Sequence, residues 1–244
     1  MKKLPIFIAL LGIIAIIGGI LYFSKSKTVD IITLPNNQPS LEIAQLKYEH
    51  ASSTYAEMSV HYPNSDATHL PEIYDFVTKT KNDFWSQYGS LTDAQAKDLY
   101  IRPDNQYQMY IDTRIATSTK TVTYLVSVYE YTGGAHGGTD ISSFTYDQKG
   151  KFVEIDDVFA PNYLSVIAPM ARKYFYDTLG DYSQPTAIDS GTEATTSNYS
   201  VWYLTPDTVT FVFGQYQVGP YVIGIQEYPI EKSKIVDILK LAFK

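Results

Sequence analysis

Residues 4–23, LPIFIALLGIIAIIGGILYF, are twenty consecutive uncharged and mostly apolar positions. At about 1.5 Å rise per residue, a helix of that length spans about 30 Å, the hydrocarbon thickness of a bilayer. Lys2 and Lys3 precede the run; Lys25 and Lys27 follow it. A cleaved signal peptide has a shorter apolar stretch, about 7–15 residues, ending at a small-x-small site. Only Ser24-Lys25-Ser26 resembles such a site. The expectation is therefore an uncleaved signal-anchor over 1–28, one transmembrane helix through residues 4–23. The flanking lysines tie, so the positive-inside rule does not set the orientation. Three residues stand before the run and some 216 follow residue 28, which points to a single-pass cell-membrane protein with its C-terminal part extracytoplasmic.

Removing the first 28 residues takes away four lysines and no acids, and moves the formal charge from −7 to −11. Nucleic-acid binding needs clustered Lys and Arg against phosphate, so a nucleic-acid partner is not expected. Such a charge attracts cationic partners at low salt, or serves solubility alone. The absence of cysteine excludes disulfides, thiolate metal sites and a thiol nucleophile. With only four histidines, at 50, 61, 69 and 136, neither a metal nor another cofactor is expected.

Residues 29–41 carry Pro35, Asn36, Asn37 and Pro39 and read as a tether. Beyond it, Tyr55, Glu57, Ser59 and His61 alternate with Ala56, Met58, Val60 and Tyr62, which is strand spacing. Residues 71–88 place Ile73, Phe76, Val77, Phe84 and Tyr88 near a 3.6-residue period behind Pro71, predicting an amphipathic helix. Strands are predicted over 106–117, 120–131 and 139–147, the second apolar on both faces and therefore central. Residues 162–179 read as a helix that Pro169 should kink or restart. Residues 183–198 read as a polar loop. Strands are predicted at 199–204 and 208–213; the segment 214–224, with a turn or bulge at Gly219-Pro220, follows, then another strand to about 229 and a closing helix over 232–243. Strands outnumber helices without regular βαβ alternation, which predicts an α+β fold with a largely antiparallel sheet and packed helices. Two α+β domains are expected, over 42–148 and 149–244.

Two local motifs stand out. Gly133-Gly134-Ala135-His136-Gly137-Gly138 sits between two strands, where glycine permits positive φ and close backbone approach. It is no phosphate loop, because neither Lys-Ser/Thr nor a helix follows. His136 suits either backbone hydrogen bonding or acid–base chemistry. The second motif is Gln215-Tyr216-Gln217-Val218-Gly219-Pro220-Tyr221-Val222-Ile223-Gly224, with a Gly-Pro turn between two tyrosines. The chain holds 22 tyrosines; tyrosine suits strands and also recognition surfaces, where it buries area and keeps a polar tip.

The segments YEYTGGAHGGT (129–139), GKFVEIDDVF (150–159) and VTFVFGQYQVGPYVIGIQEYPI (209–230) resemble the RsiV/PdaC-type extracytoplasmic domain pair of bacterial surface proteins, domains of unknown function. The resemblance runs over about residues 42–242. It implies an antiparallel α+β fold outside the membrane, and either a lysozyme receptor or a module that accompanies a separate peptidoglycan deacetylase domain. Carried over by position, the contact region is the loop around Gly219, Pro220 and Tyr221. Only three residues precede the apolar run, and the upstream histidines lack His-x-x-x-His spacing. The expectation is a cell-envelope binding module that is not an enzyme and lacks the sigma-factor-holding and deacetylase parts. Its expected partner is a lysozyme-like protein or a cell-wall glycan, bound through His136, Tyr216, Gly219, Pro220 and Tyr221. The alternative is a peptidoglycan-modifying enzyme using His136 with Asp140, Glu130 or the adjacent Asp156 and Asp157. A spacer role is the third reading.

Overall fold

The computed structural model describes residues 44–66 and 68–244. The expected membrane helix and tether lie outside these residues; among the described residues no helix is long and apolar enough to cross a membrane.

The first half forms a five-stranded sheet from β1 (Leu46–Ser52), β2 (Ala56–Pro63), β3 (Tyr107–Thr117), β4 (Thr121–Tyr131) and β5 (Gly138–Asp147), in the order β1-β2-β3-β4-β5. All pairings are antiparallel except β2 with β3. A parallel pair cannot be closed by a tight turn, and the crossover here is α1 (Pro71–Tyr88) and α2 (Asp93–Asp98). Pro71 opens α1, where its missing N–H costs nothing. Ile73, Val77 and Phe84 bury its inner stripe against Met58, Val60, Met109, Ile111, Tyr124 and Tyr146 of the sheet. Each such buried side chain contributes about 1.5–3 kcal/mol.

The second half supplies α3 (Ile155–Val158), α4 (Tyr163–Leu179), α5 (Pro185–Gly191) and an antiparallel sheet β6-β7-β8 from Trp202–Leu204, Thr208–Phe213 and Gln226–Glu231. Alternation decides where this sheet packs. Leu204, Val209, Phe211, Phe213 and Tyr228 turn toward Ile167, Ala171 and Phe175 of α4. Tyr203 and Val212 turn the other way, onto Leu125, Ala116 and Ile141 of the first sheet. The first sheet thus has α1 on one face and, over part of the other, the second sheet. That explains the two apolar faces of β4: Tyr124 and Val126 meet α1, while Leu125 meets β6 and β7. Two buried threonines on the sheet-to-sheet face, Thr123 and Thr145, bond each other at 2.9 Å. The α+β class and the antiparallel majority agree with the sequence reading.

Local details refine these expectations, and the polar loop at 183–198 and the closing helix need correction. Helix α4 runs through Pro169; the residue has no N–H for the Ser165 carbonyl, and interior proline costs about 3 kcal/mol. Burial of Ile167, Ala168, Ala171 and Phe175 on either side offsets it. The polar stretch 183–198 contains helix α5, because Pro185 starts a turn whose Ile188 reaches the core. Residues 214–225 are a loop with a short 3-10 turn at Tyr221–Ile223, since Tyr216 and Gly224 take φ of 64° and 68°, outside the extended range. The closing segment makes only short 3-10 turns. Its backbone instead bonds the end of α3, Ala160 N–H to Ile238 O and Lys240 N–H to Val158 O, both at 2.8 Å. Ile235, Ile238 and Leu239 stay buried without a helix.

Candidate functional site

The glycine loop between β4 and β5 is built for close approach. Gly133 and Gly134 take φ of 98° and 90°, and Tyr131 OH donates to Gly134 O at 3.2 Å. A Cβ on the buried Gly137 would stand 2.4 Å from the Tyr129 ring and 2.5 Å from Glu130 O, so only glycine lets that ring lie on the loop. His136 Nδ1 is 2.9 Å from Gly137 O. A carbonyl only accepts, so Nδ1 carries the hydrogen and, in the neutral ring, Nε2 is the acceptor. Tyr216 OH stands 3.5 Å from that Nε2. The imidazole also stacks on Tyr221, with centroids 4.0 Å apart and planes 24° from parallel. Tyr216 and Tyr221 rings are 5.7 Å apart.

The structure therefore brings His136, Tyr216 and Tyr221 together. Tyr216 is 59% exposed although its backbone is left-handed, a conformation costing a non-glycine residue about 1–2 kcal/mol. The loop is held from below: Gln215 Oε1 accepts the Thr139 N–H at 2.7 Å. Gln217 bonds Gly191 O, Asn198 O and the Gly214 N–H. Gly219 is buried, its absent Cβ lying 2.8 Å from Ser183 Oγ, so it shapes the turn while Pro220 is exposed.

Sequence reasoning missed the surface this cluster continues. The strand registers align His50, Ser59, Tyr110, Tyr129 and Thr139 in one row across all five strands. One step along β1 and β2, Tyr48 faces His61, whose Nδ1 is 3.8 Å from Asp112 Oδ1; Asp112 in turn faces Ser127. Tyr110 and Tyr129 stack nearly parallel at 5.7 Å and 13°. Tyr48 stacks near His50 and packs on His61 at 4.7 Å. His50 Nδ1 lies 3.2 Å from Ser59 Oγ. These side chains occupy the face opposite α1, beside the part around Ala116, Leu125 and Ile141 that the second sheet covers, and Tyr48 is 56% exposed.

Burial, and then Glu57, push the Tyr110 phenol up to about 12; its OH donates to Glu57 Oε2 at 3.4 Å. Tyr129 is raised by burial first and also by Tyr221; the packing of its ring on Gly137 is what joins the row to the loop. Arg114 closes the boundary with the second sheet: it pairs with Glu227 and lies 5.1 Å over the Tyr203 ring.

The acids considered for His136 are placed otherwise. Glu130 and Asp140 lie on the α1 side of the sheet, and Glu130 is held above the usual carboxylate range by partial burial and then by Asp140. Asp157 accepts the Glu154 N–H at 3.1 Å as part of the α3 capping box, so Asp156 and Asp157 open a helix and do not lie on a strand. Among the described residues the histidine–carboxylate pairs are His61 with Asp112 and His69 with Asp66. No group of three or more metal-ligating side chains occurs among them.

Residues 156–233 match a protein family of unknown function, DUF3298. The chain is also 27% identical over 253 aligned residues to the peptidoglycan-N-acetylmuramic acid deacetylase PdaC of Bacillus subtilis. That alignment takes in 98% of this chain and 51% of PdaC, so the chain spans about half the length of the curated relative it matches. Crystal structures of DUF3298-family members share the fold. The Bacteroides fragilis protein aligns with a TM-score of 0.60 and 17% identity over 82% of this chain and 95% of its own. For the Pseudomonas aeruginosa protein the values are 0.53, 15%, 83% and 97%. The similarity to PdaC-type domains anticipated from the 129–139, 150–159 and 209–230 segments is thus present. The expectation that the chain is not an enzyme is corrected: the curated relative aligned with nearly all of it is named as a deacetylase.

Proposed function

We propose that the chain works at the bacterial cell wall, its open sheet face holding a peptidoglycan glycan strand. One observation carries the reading: the row His50–Ser59–Tyr110–Tyr129–Thr139, aligned by register across five strands and continued by the His136–Tyr221 stack. Four strand spacings of about 4.8 Å make a row about 19 Å long. The stacked Tyr110–Tyr129 pair, with ring centroids 5.7 Å apart, offers apolar ring edges and hydroxyl tips, and His50, Ser59 and Thr139 add hydrogen-bonding groups on either side, a mixture that suits the apolar faces and hydroxyl edges of sugars. The similarity to a peptidoglycan deacetylase supports a wall glycan as the ligand. Residues 4–23 anchor the chain in the cell membrane and leave this face outside.

Cosedimentation of the full chain with purified insoluble peptidoglycan tests the reading. The Tyr110→Ala/Tyr129→Ala variant is expected to bind at least tenfold more weakly, about 1.4 kcal/mol, with an unchanged far-ultraviolet circular dichroism spectrum. Undiminished binding by that variant refutes the proposal.

A second reading is favoured by the name of the aligned relative: chemical modification of the same glycan. The His61–Asp112 pair on the open face is then the candidate acid–base couple, because hydrogen bonds of this kind tighten when substrate binds. Acetate released from peptidoglycan by the chain, and lost in His61→Ala, is the expected result; release unaffected by His61→Ala rejects the pair.

A further inference from the structure

We propose that the open face selects a de-N-acetylated glycan strand, whose amino sugars are cationic, over a fully N-acetylated one; this rests on the glycan-binding reading above. Charge complementarity at the tyrosine row favours the cationic strand. Glu57 and Asp112 flank Tyr110 on this face. The Glu57 carboxylate receives one long hydrogen bond, from Tyr110 at 3.4 Å, which leaves acceptor capacity on both oxygens. Asp112 is exposed, and its Oδ1 accepts the Thr113 N–H at 3.0 Å, leaving the second oxygen toward solvent.

Among the described residues of the face no lysine or arginine competes for these two acids; the neighbouring cation former is His61, whose Nδ1 stands 3.8 Å from Asp112 Oδ1. Arg114 is already paired with Glu227 over Tyr203. Lys47 and Lys81 lie on the α1 side, paired with Glu49 and packed on Tyr62. An N-acetyl sugar offers only a neutral amide to such a carboxylate. A free amine offers an ammonium, and hydrogen bonds between charged groups are about twice as strong as neutral ones. The formal charge of −11 beyond residue 28 also raises the local concentration of a cationic polymer.

The reaction class that supplies such a strand is N-deacetylation. Water cleaves the amide C–N bond, the acyl carbon leaves as acetate, and the nitrogen remains on the sugar as a protonated amine. That is the activity named for the Bacillus subtilis relative.

The experiment is calorimetric titration of the full chain with a β-1,4-linked glucosamine hexasaccharide and with its fully N-acetylated counterpart. It is run at about 0.1 M and about 1 M salt, between which the screening length falls from about 10 Å to about 3 Å. The glucosamine oligomer is expected to bind about fivefold more tightly at low salt, equivalent to about 1 kcal/mol. The ratio should shrink at high salt and fall to about one in Glu57→Gln/Asp112→Asn. Equal affinities in the unaltered protein overturn this inference and leave the glycan-binding face standing. Binding of neither oligomer, together with no cosedimentation on peptidoglycan, overturns both. A preference that persists in the double variant overturns the assignment to these two carboxylates.

Discussion

Gln217 offers the sharpest test of how the aromatic loop is held. Its Oε1 accepts the Gly214 N–H at 2.9 Å, and its Nε2 donates to Gly191 O at 3.1 Å and Asn198 O at 3.0 Å. One side chain thus joins the loop to the end of α5 and to the turn before β6. A net hydrogen bond contributes about 1 kcal/mol, so Gln217→Ala should cost about 3 kcal/mol. For a domain of this size each kcal/mol shifts Tm by about 2–4 °C, predicting a fall of about 6–12 °C. Gln217→Glu keeps the shape but turns the donor into an oxygen facing two carbonyls, so it should cost more than alanine. Urea unfolding followed by circular dichroism and by the fluorescence of the buried Trp202 measures both variants. The loop carries Tyr216 and Tyr221, so both variants should also weaken peptidoglycan binding. A loss below about 1 kcal/mol for Gln217→Ala, or a Gln217→Glu protein as stable as the parent, refutes the reasoning.

Gly191→Ala should destabilise by about 1–3 kcal/mol in the same assay, because its Cβ would fall 1.9 Å from Gln217 O; a neutral result means the loop moves freely. Tyr216→Gly should raise stability by about 1 kcal/mol by relieving a left-handed φ of 64°, yet lower glycan binding, which separates strain from function in one variant. Among the described residues the buried Tyr163 hydroxyl has no hydrogen-bond partner, so Tyr163→Phe should be neutral or stabilising by about 1 kcal/mol on thermal unfolding; a clear loss means the hydroxyl is satisfied. Asp66 accepts the Thr68 hydroxyl and the N–H groups of Thr68 and His69, which hold its carboxyl well below the usual range. A depressed folded pKa stabilises above the unfolded value, near 3.9, and that contribution is lost as pH falls toward the folded one. The Tm deficit of Asp66→Ala should therefore be larger at about pH 6 than at about pH 2; a constant deficit contradicts this account.

Periodicity made much of the fold legible. The helix over 71–88, the strand pair 106–117 and 120–131, and the outward face Glu57–Ser59–His61 all follow from side-chain spacing, because α1 and the strands each bury one repeating set of positions. The same signal misled at the C-terminus, where Ile235, Ile238 and Leu239 have helical spacing but their backbone bonds the end of α3 instead. The site divides in the same way. His136 with its glycines, and Tyr216 with Tyr221, were visible as local motifs, and the fold brings them together. Tyr110, His61 and Asp112 carried no motif, and Tyr129 entered only as the first residue of the 129–139 segment.

The residues alone determined which side chains alternate, where the chain turns, that the charge beyond residue 28 is acidic, and that no cysteine chemistry operates. Tertiary structure alone decided which strands are neighbours. The parallel pairing of β2 with β3, made across the α1–α2 crossover, sets Ser59 beside Tyr110. Pairing with β4 then sets Tyr110 beside Tyr129. A register shift of one residue would send each of these side chains to the opposite face. Register is chosen by burying Met58, Met109, Tyr124 and Tyr146 under α1, and the polar–aromatic face is the other side of that choice.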